Sequence, residues 1–225
     1  DGSSVVQIAT LSTTTAGAAA ATVYANDGGN FMTNTYTGTY TIEAATQRGQ
    51  VTLTGDGAPP IAYFTNTAEE DDIIAFLVGT DEFGSGGFVT TQSGSSAPNF
   101  DTGSLNDNYA EGTAEDLSGL NGSETGVWNF NGTGGYSNTL DLVQSGGTST
   151  TPFMFTGNYT MNADGSGAGT YTSTGGTTVA FVTSGSIIFS TEESSVQPQL
   201  HVFIAEEEAE KAAAKPVKTT IKHEK

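Results

Sequence analysis

The sequence predicts an all-β protein of two tandem antiparallel β-sandwich modules, preceded by an extended strand and followed by a short charged tail. The chain has 30 glycines in 225 residues, long Thr and Ser tracts, and no sustained helical period before residue 205. Two apolar runs, IIAFLV (73–78) and VAFV (179–182), need burial, which argues against a disordered chain. A set of strand-like segments also occurs twice along the chain.

The first element, residues 1–15, alternates between apolar and polar side chains with the two-residue period of a strand. Val6, Ile8 and Thr10 lie on one face, and Val5 and Leu11 lie on the other. The chain starts with Asp and has no charged and apolar leader, so we expect a mature product cut from a precursor.

The two modules are predicted from the repeat. TGTYTI (37–42) returns as TGNYTM (156–161), and three flanking strands follow each copy in the same order. The flanks are RGQVTLT (48–54), IAYF (61–64) and DIIAFLV (72–78) in the first copy, and GAGTYTS (167–173), VAFV (179–182) and SIIFS (186–190) in the second. The predicted domains are module 1 at 16–95, module 2 at 97–204 and the tail at 205–225.

The first copy looks short of a leading strand. In the second copy, residues 99–122 precede the strand pair GVWNFNG and NTLDLVQ, and their equivalent in the first copy would fall before residue 1. A module that lacks a strand exposes unpaired backbone and an apolar groove. A strand from another subunit would close it.

Four runs carry a resemblance to a known kind of domain. They are FLVGTDEFGSGGFVTTQSG (76–94), NFDTGSLNDNYAEG (99–112), NFNGTGGYSNTLDLVQSGG (129–147) and TGNYTMNADGSGAGTYT (156–172). Together they resemble the secreted repeat β-domains of acidobacterial-type surface proteins. The resemblance implies a surface location and a modular β-architecture, and it brings no catalytic residue.

The free alternating strand at the start resembles the donor strands of bacterial pili, which complete the immunoglobulin-like sandwich of the next subunit. This resemblance implies a homopolymer with an interface on one strand, at Val5, Val6, Ile8, Thr10 and Leu11. The tail segment PVKTTIKHEK (216–225) alternates as well, so it is a second candidate donor, with contacts at Val217, Thr219 and Ile221. The sequence leaves open which end is the donor.

Charge excludes two classes of partner. Residues 1–210 carry a net charge of −23, and residues 211–225 carry +4. Such a body repels nucleic acid phosphates and anionic membranes, and no apolar run reaches the roughly 20 residues that span a bilayer. The basic tail can attract the acidic body of another copy. Low Lys and high Thr, Ser, Gly and Asn are typical of a bacterial secreted or cell-surface protein, so we expect an extracellular location.

The sequence does not predict an enzyme. Cysteine is absent, and His201 and His223 lie in no motif that pairs them with a nucleophile, so both are expected to be structural or solvated. The acidic runs EEDD (69–72) and DE (81–82) are typical of solvated loops, with weak Ca²⁺ binding as the functional alternative. We therefore expect no cofactor.

Aromatic residues could bind carbohydrate, and Asn residues in sequons could carry it as attached glycan. Trp128, Phe130, Tyr40 and Tyr159 occupy alternating positions, which favours packing in a core over a sugar-binding platform. Asn121, Asn131 and Asn158 lie in glycosylation sequons and are the candidate sites for attached glycan.

These observations favour a non-enzymatic subunit of an extracellular filament, built by β-strand donation between copies. The alternative is a monomeric secreted or surface module for carbohydrate binding or adhesion. The size of the native protein in solution separates the two.

Overall fold

The computed structural model confirms the all-β class. It describes residues 5–14, 16–43, 45–46, 48–55, 61–64, 73–78, 86–90, 99–113, 123–144, 147–148, 152–171, 178–193 and 198–206. The strands form two antiparallel sheets, and they are β1 (Val5–Thr13), β2 (Ala18–Asp27), β3 (Asn30–Glu43), β4 (Arg48–Leu53), β5 (Ile61–Phe64), β6 (Ile73–Val78), β7 (Gly86–Thr90), β8 (Asn108–Thr113), β9 (Ser123–Phe130), β10 (Gly135–Gln144), β11 (Gly147–Thr148), β12 (Phe153–Met161), β13 (Ser166–Tyr171), β14 (Thr178–Thr183), β15 (Ile187–Glu192) and β16 (His201–Ala205).

The first sheet is an open meander of seven strands, in the order β1 to β7. β1 pairs with β2 along its whole length, from Val5 opposite Asp27 to Thr13 opposite Ala19. Within the described residues, β1 and β7 each have a strand neighbour on one side only.

The second sheet closes on itself. β8 pairs with β9 on one side and with β16 on the other, and each remaining strand pairs with its neighbours around the ring. The result is an eight-stranded antiparallel barrel made of β8, β9, β10 and β12 to β16. The two-residue strand β11 pairs with the end of β10 beside this ring.

The barrel interior is filled by every second side chain of its strands. On β9, Trp128 and Phe130 point inward and are buried, whereas Val127 and Asn129 point outward and are exposed. The same alternation on the other strands supplies further core side chains, and Leu105, which precedes β8, joins them. The buried core is rich in aromatic residues and comprises Leu105, Tyr109, Trp128, Phe130, Tyr136, Leu140, Tyr159, Phe181, Ile188, Phe203 and Ala205. The predicted core role of Trp128, Phe130 and Tyr159 is confirmed, and Tyr40 is half-buried.

One end of the barrel is plugged by the segment that leads into β8. This segment contains a 3₁₀ helix (Thr102–Ser104) and the fully buried Leu105. The Tyr159 hydroxyl contacts the carbonyl oxygens of Thr102 at 2.7 Å and Leu105 at 2.9 Å. The backbone N–H of Gly132 also donates to the Leu105 carbonyl, at 2.9 Å. Backbone and side-chain hydrogen bonds therefore fix the plug.

The repeated segments occupy matching strands. The first copy forms β3 to β6 and the second forms β12 to β15, each as a meander of consecutive neighbours. The backbone N–H of Tyr40 donates to the Gly17 carbonyl at 2.9 Å, and that of Tyr159 donates to the Gly134 carbonyl at 2.8 Å. Gly17 and Gly134 both have positive φ, at 83° and 94°, which a residue without Cβ adopts at little cost.

The two sheets contact each other through β1 and the outer face of the barrel. Ile8 is 5% exposed and packs in one apolar cluster with Ala180 and Val182 of β14. The partly buried side chains around this cluster are Tyr24, Phe31, Phe189 and Leu200. The side-chain amide of Asn26 donates to the Glu192 carbonyl at 2.5 Å, so a buried polar contact accompanies the apolar one.

In the part of the chain that the structure describes, no helix has the length and apolar character needed to cross a membrane. The run EEEAEKAAAK (206–215), in the predicted tail, lies outside the described residues apart from Glu206.

Two strand glycines allow a matched test of packing in the barrel. A Cβ at Gly157 would collide with the Tyr136 side chain and with the Thr170 carbonyl, whereas a Cβ at Gly112 would meet no atom within 4 Å. We expect Gly157→Ala to lower the free energy of unfolding by about 1–3 kcal/mol, because overpacking forces neighbours to move. Gly112→Ala should change it by less than about 0.5 kcal/mol. Urea unfolding followed by Trp128 fluorescence checks both, and equal effects would contradict the packing described.

Candidate functional site: a buried Glu–His–Glu cluster

The described inward-facing positions of the barrel include two carboxylates and one imidazole. Glu111 lies on β8, Glu124 on β9 and His201 on β16, which are three adjacent strands. His201 pairs with Thr113, two residues after Glu111 on β8. Glu111 pairs with Gly126, two residues after Glu124 on β9. The three positions therefore lie close together on neighbouring strands. They lie at the end of the barrel away from the plug.

The three side chains converge on one imidazole nitrogen. The His201 Nδ1 is 2.8 Å from Glu111 Oε1 and 3.0 Å from Glu124 Oε1. The side chain of His201 is 4% exposed, that of Glu111 is fully buried, and that of Glu124 is 17% exposed. The indole N–H of Trp128 donates to the second oxygen of Glu111 and fixes the orientation of that carboxylate.

The pKa values of the three groups respond to burial and to one another. Burial opposes the charged form of His201, but the hydrogen bonds and charges of Glu111 and Glu124 outweigh it and raise the pKa of the ring from 6.5 to about 10. Burial raises the pKa of Glu111, and contact with His201 compensates in part. For Glu124, contact with His201 overcomes burial and lowers the pKa.

At neutral pH the raised pKa of His201 favours an imidazolium, and the lowered pKa of Glu124 favours a carboxylate beside it. With both Glu side chains ionised, the cluster carries one positive and two negative charges. A single Nδ1 proton then serves two acceptors, and the cluster keeps a net negative charge in the barrel interior. Three functions are chemically open to such a group: an ion-pair lock between strands, a proton-binding site and a cation site.

The rest of the interior leaves little room for a ligand. The space among the core aromatics is about 20 Å³, close to what one water molecule needs. Trp128 is held on both sides, at a ring centroid distance of 4.8 Å to Tyr136 and 5.2 Å to Phe203. The described inward-facing side chains of the barrel therefore form a packed core.

A groove of about 300 Å³ lies at the plugged end, on the outside of the barrel. Its lining is mostly polar and comes from the plug, the β14–β15 turn and the adjoining ends of β8 and β16. The lining residues are Gly103, Ser104, Asn106, Asp107, Tyr109, Gly185, Ser186 and Ala205. The Tyr109 hydroxyl donates to the Gly185 carbonyl at 2.7 Å and joins the two walls.

The donor residues predicted at the start of the chain all lie on β1, which is paired inside its own chain. Ile8 is buried against the barrel, and Val6 and Thr10 are half-buried. Val5 and Leu11, on the other face, are 51% and 41% exposed. β1 is thus an integral edge strand of the first sheet in the isolated chain.

The other predicted sites are scattered. Val217, Thr219, Ile221, Asn121, His223 and the acidic runs at 69–72 and 81–82 lie outside the described residues. Asn158 is exposed on the outer face of β12. Asn131 is exposed in the β9–β10 turn, where its side-chain oxygen accepts hydrogen bonds from the backbone N–H groups of Thr133 and Gly135, each at 2.9 Å.

Sequence reasoning missed the cluster. It assigned His201 a structural or solvated role and gave no role to Glu111 or Glu124. One signal was present: Glu111 shares the strand parity of Tyr109, and Glu124 shares that of Trp128, so each carboxylate falls on the core face of its strand. What the sequence did not reveal is that β8 lies between β9 and β16.

The raised pKa of His201 predicts a pH dependence of stability. A group with a raised folded-state pKa contributes stability that is fully present below its unfolded value near 6.5 and is lost as the pH rises toward about 10. We therefore expect the free energy of unfolding, measured by urea in EDTA, to fall steadily between pH 7 and pH 9.5. His201→Gln should flatten this slope. An equal slope in the variant would contradict the assignment.

Comparisons with known proteins add no relative. No protein-family model matches the chain. Neither a curated protein nor a solved structure matches it significantly.

Proposed function

We propose that the chain is a non-enzymatic structural subunit of an extracellular filament, in which its first sheet receives a strand from another copy. The observation that carries the proposal is a correspondence between the two sheets. β1 to β7 match β9, β10 and β12 to β16 in order, and β8 has no counterpart among the described residues of the first sheet.

The register supports this correspondence. Thr13 pairs with Ala19 and Leu11 with Ala21, just as Phe130 pairs with Tyr136 and Trp128 with Asn138. Leu11 also precedes Gly17 by the same number of residues as Trp128 precedes Gly134. β1 is therefore the counterpart of β9. In the barrel, β9 and β16 are joined by β8, so a strand between β1 and β7 would complete the first sheet in the same way.

Exposed apolar side chains at the open edge of the first sheet favour the addition of another strand there. Leu11 is 41% exposed, whereas Trp128, at the matching position of the barrel, is 3% exposed. Val5 and Met32, on the same face of the first sheet as Leu11, are 51% and 39% exposed. An edge strand with unpaired N–H and C=O groups and exposed apolar side chains is a template for strand addition.

The tail of another copy is the proposed donor. β1 itself makes nine residue pairs with β2, and Ile8 is anchored on the barrel, so donating β1 would break both contacts. Residues 216–225 alternate in the manner of a strand, with Val217, Thr219 and Ile221 on one face. Residues 211–225 carry five of the six basic residues and a net charge of +4, opposite in sign to the acidic body.

Immunoglobulin-like sandwich geometry for the modules stays a prediction, as do the domain boundaries. The extracellular location rests on composition and on the resemblance to secreted repeat domains. The absence of an assigned catalytic residue is also an expectation from the sequence, and an activity screen with polysaccharide and peptide substrates tests it.

The test of assembly uses two exposed apolar residues on matching strands. Leu11→Asp places a charge at the open edge of the first sheet, and Val127→Asp places one on the outer face of the barrel; the native residues are 41% and 42% exposed. Burying one Leu side chain is worth about 1.5–3 kcal/mol, so Leu11→Asp should weaken assembly at least about tenfold. Val127→Asp should assemble like the native protein.

Light scattering and electron micrographs of the purified chain provide the measurement, with circular dichroism to verify folding. A chain that lacks residues 216–225 should remain monomeric. It should also form mixed complexes as an acceptor when tail-bearing copies are added. A native chain that stays monomeric at high concentration would overturn the proposal.

The alternative function is a monomeric surface module that binds carbohydrate. The groove at the plugged end favours it, because Asn106 and Asp107 present polar side chains beside Tyr109 in a recess large enough for a sugar unit. A monomer that binds polysaccharide, and loses binding in Asp107→Ala, would support this function over the filament.

A further inference from the structure

We propose that Glu111, Glu124 and His201 form a binding site for a single divalent transition-metal ion of the Zn²⁺ type. The site is independent of the proposed filament function. It uses one imidazole nitrogen and two carboxylate oxygens, a donor set that Zn²⁺ and its neighbours accept.

The geometry is close to that of a bound ion. The donor atoms all lie within 4.8 Å of one another. In a tetrahedral site with metal–ligand distances of about 2.0–2.2 Å, neighbouring donors lie about 3.3 Å apart. The Nδ1 to oxygen distances here are 2.8 and 3.0 Å, so the donors need to separate by only a few tenths of an ångström.

A divalent ion would compensate the negative charge of the cluster more fully than a proton does. A proton on Nδ1 leaves the three side chains with a net charge of −1 when both carboxylates are ionised, and it serves two acceptors with one hydrogen. A divalent ion in its place makes the site neutral and bonds to both oxygens at once. Because the side chain of His201 is 4% exposed and that of Glu111 is fully buried, this difference acts in a medium of low dielectric constant.

Two further features are those of a metal site. The Trp128 indole N–H holds the second oxygen of Glu111, as outer hydrogen bonds hold carboxylate ligands. The three donors also lie on neighbouring strands, since β8 pairs with both β9 and β16. A tetrahedral ion would take water or another group as its fourth ligand.

The experiment is a titration of the intact, EDTA-treated chain with Zn²⁺ in a calorimeter. All proteins carry His223→Gln, because that histidine lies in the tail. We expect one ion per chain with micromolar affinity or tighter. Glu111→Gln and His201→Gln should each weaken binding at least 100-fold. Glu43→Gln, which removes an exposed carboxylate in the first sheet, should leave the affinity unchanged.

A Co²⁺ spectrum and a replacement variant complete the test. Co²⁺ should give a visible absorption spectrum of a low-coordinate site with nitrogen and oxygen ligands in the parent chain, and not in Glu111→Gln. If Glu111→Gln fails to fold, the partly exposed Glu124→Gln replaces it. The absence of Zn²⁺ binding, or equal binding by the cluster variants and Glu43→Gln, would overturn the proposal. Ca²⁺ binding without Zn²⁺ binding would also overturn it.

Discussion

The pairing of β8 with both β9 and β16 is the constraint on which the architecture depends. Every backbone N–H and C=O in a sheet needs a partner, and a closed ring supplies one on both sides of every strand. The second sheet meets this condition by itself. The first sheet has the same succession of strands without the closing one, so its described residues leave two edges that pair on one side only.

Much of the secondary structure was predictable from the sequence. Alternating apolar residues and turn glycines indicated strands, and the repeated TGxYT motif indicated that β3 and β12 have matching surroundings. Gly38 and Gly157 lie in that motif, and a Cβ at either position would collide with the neighbouring strand. Both copies of the repeat therefore share a close approach between the backbones of adjacent strands, in addition to the same order of apolar and polar residues.

The closed form of the second sheet and the buried cluster were not predictable in the same way. Alternation along a strand determines which side chains share a face, but it does not determine which strands meet around a ring. Glu111 and His201 are far apart in the sequence and belong to strands joined only by closure. The same limit applies to β1: its amphipathic pattern fits a donated strand and an edge strand packed on a barrel through Ile8 equally well.

The cluster also has a bearing on closure itself. Its three members lie on β8 and on the two strands that β8 joins, so their contacts cross both seams of the ring. An ion pair that connects three strands penalises a register slip, because a shift of one residue would turn Glu111 to the outer face and leave His201 buried with one fewer carboxylate. A metal ion at the same place would strengthen this penalty, since it binds all three side chains together. Strand closure and the Glu–His–Glu cluster are therefore coupled in the barrel: the contacts that hold the cluster together also hold β8 in place.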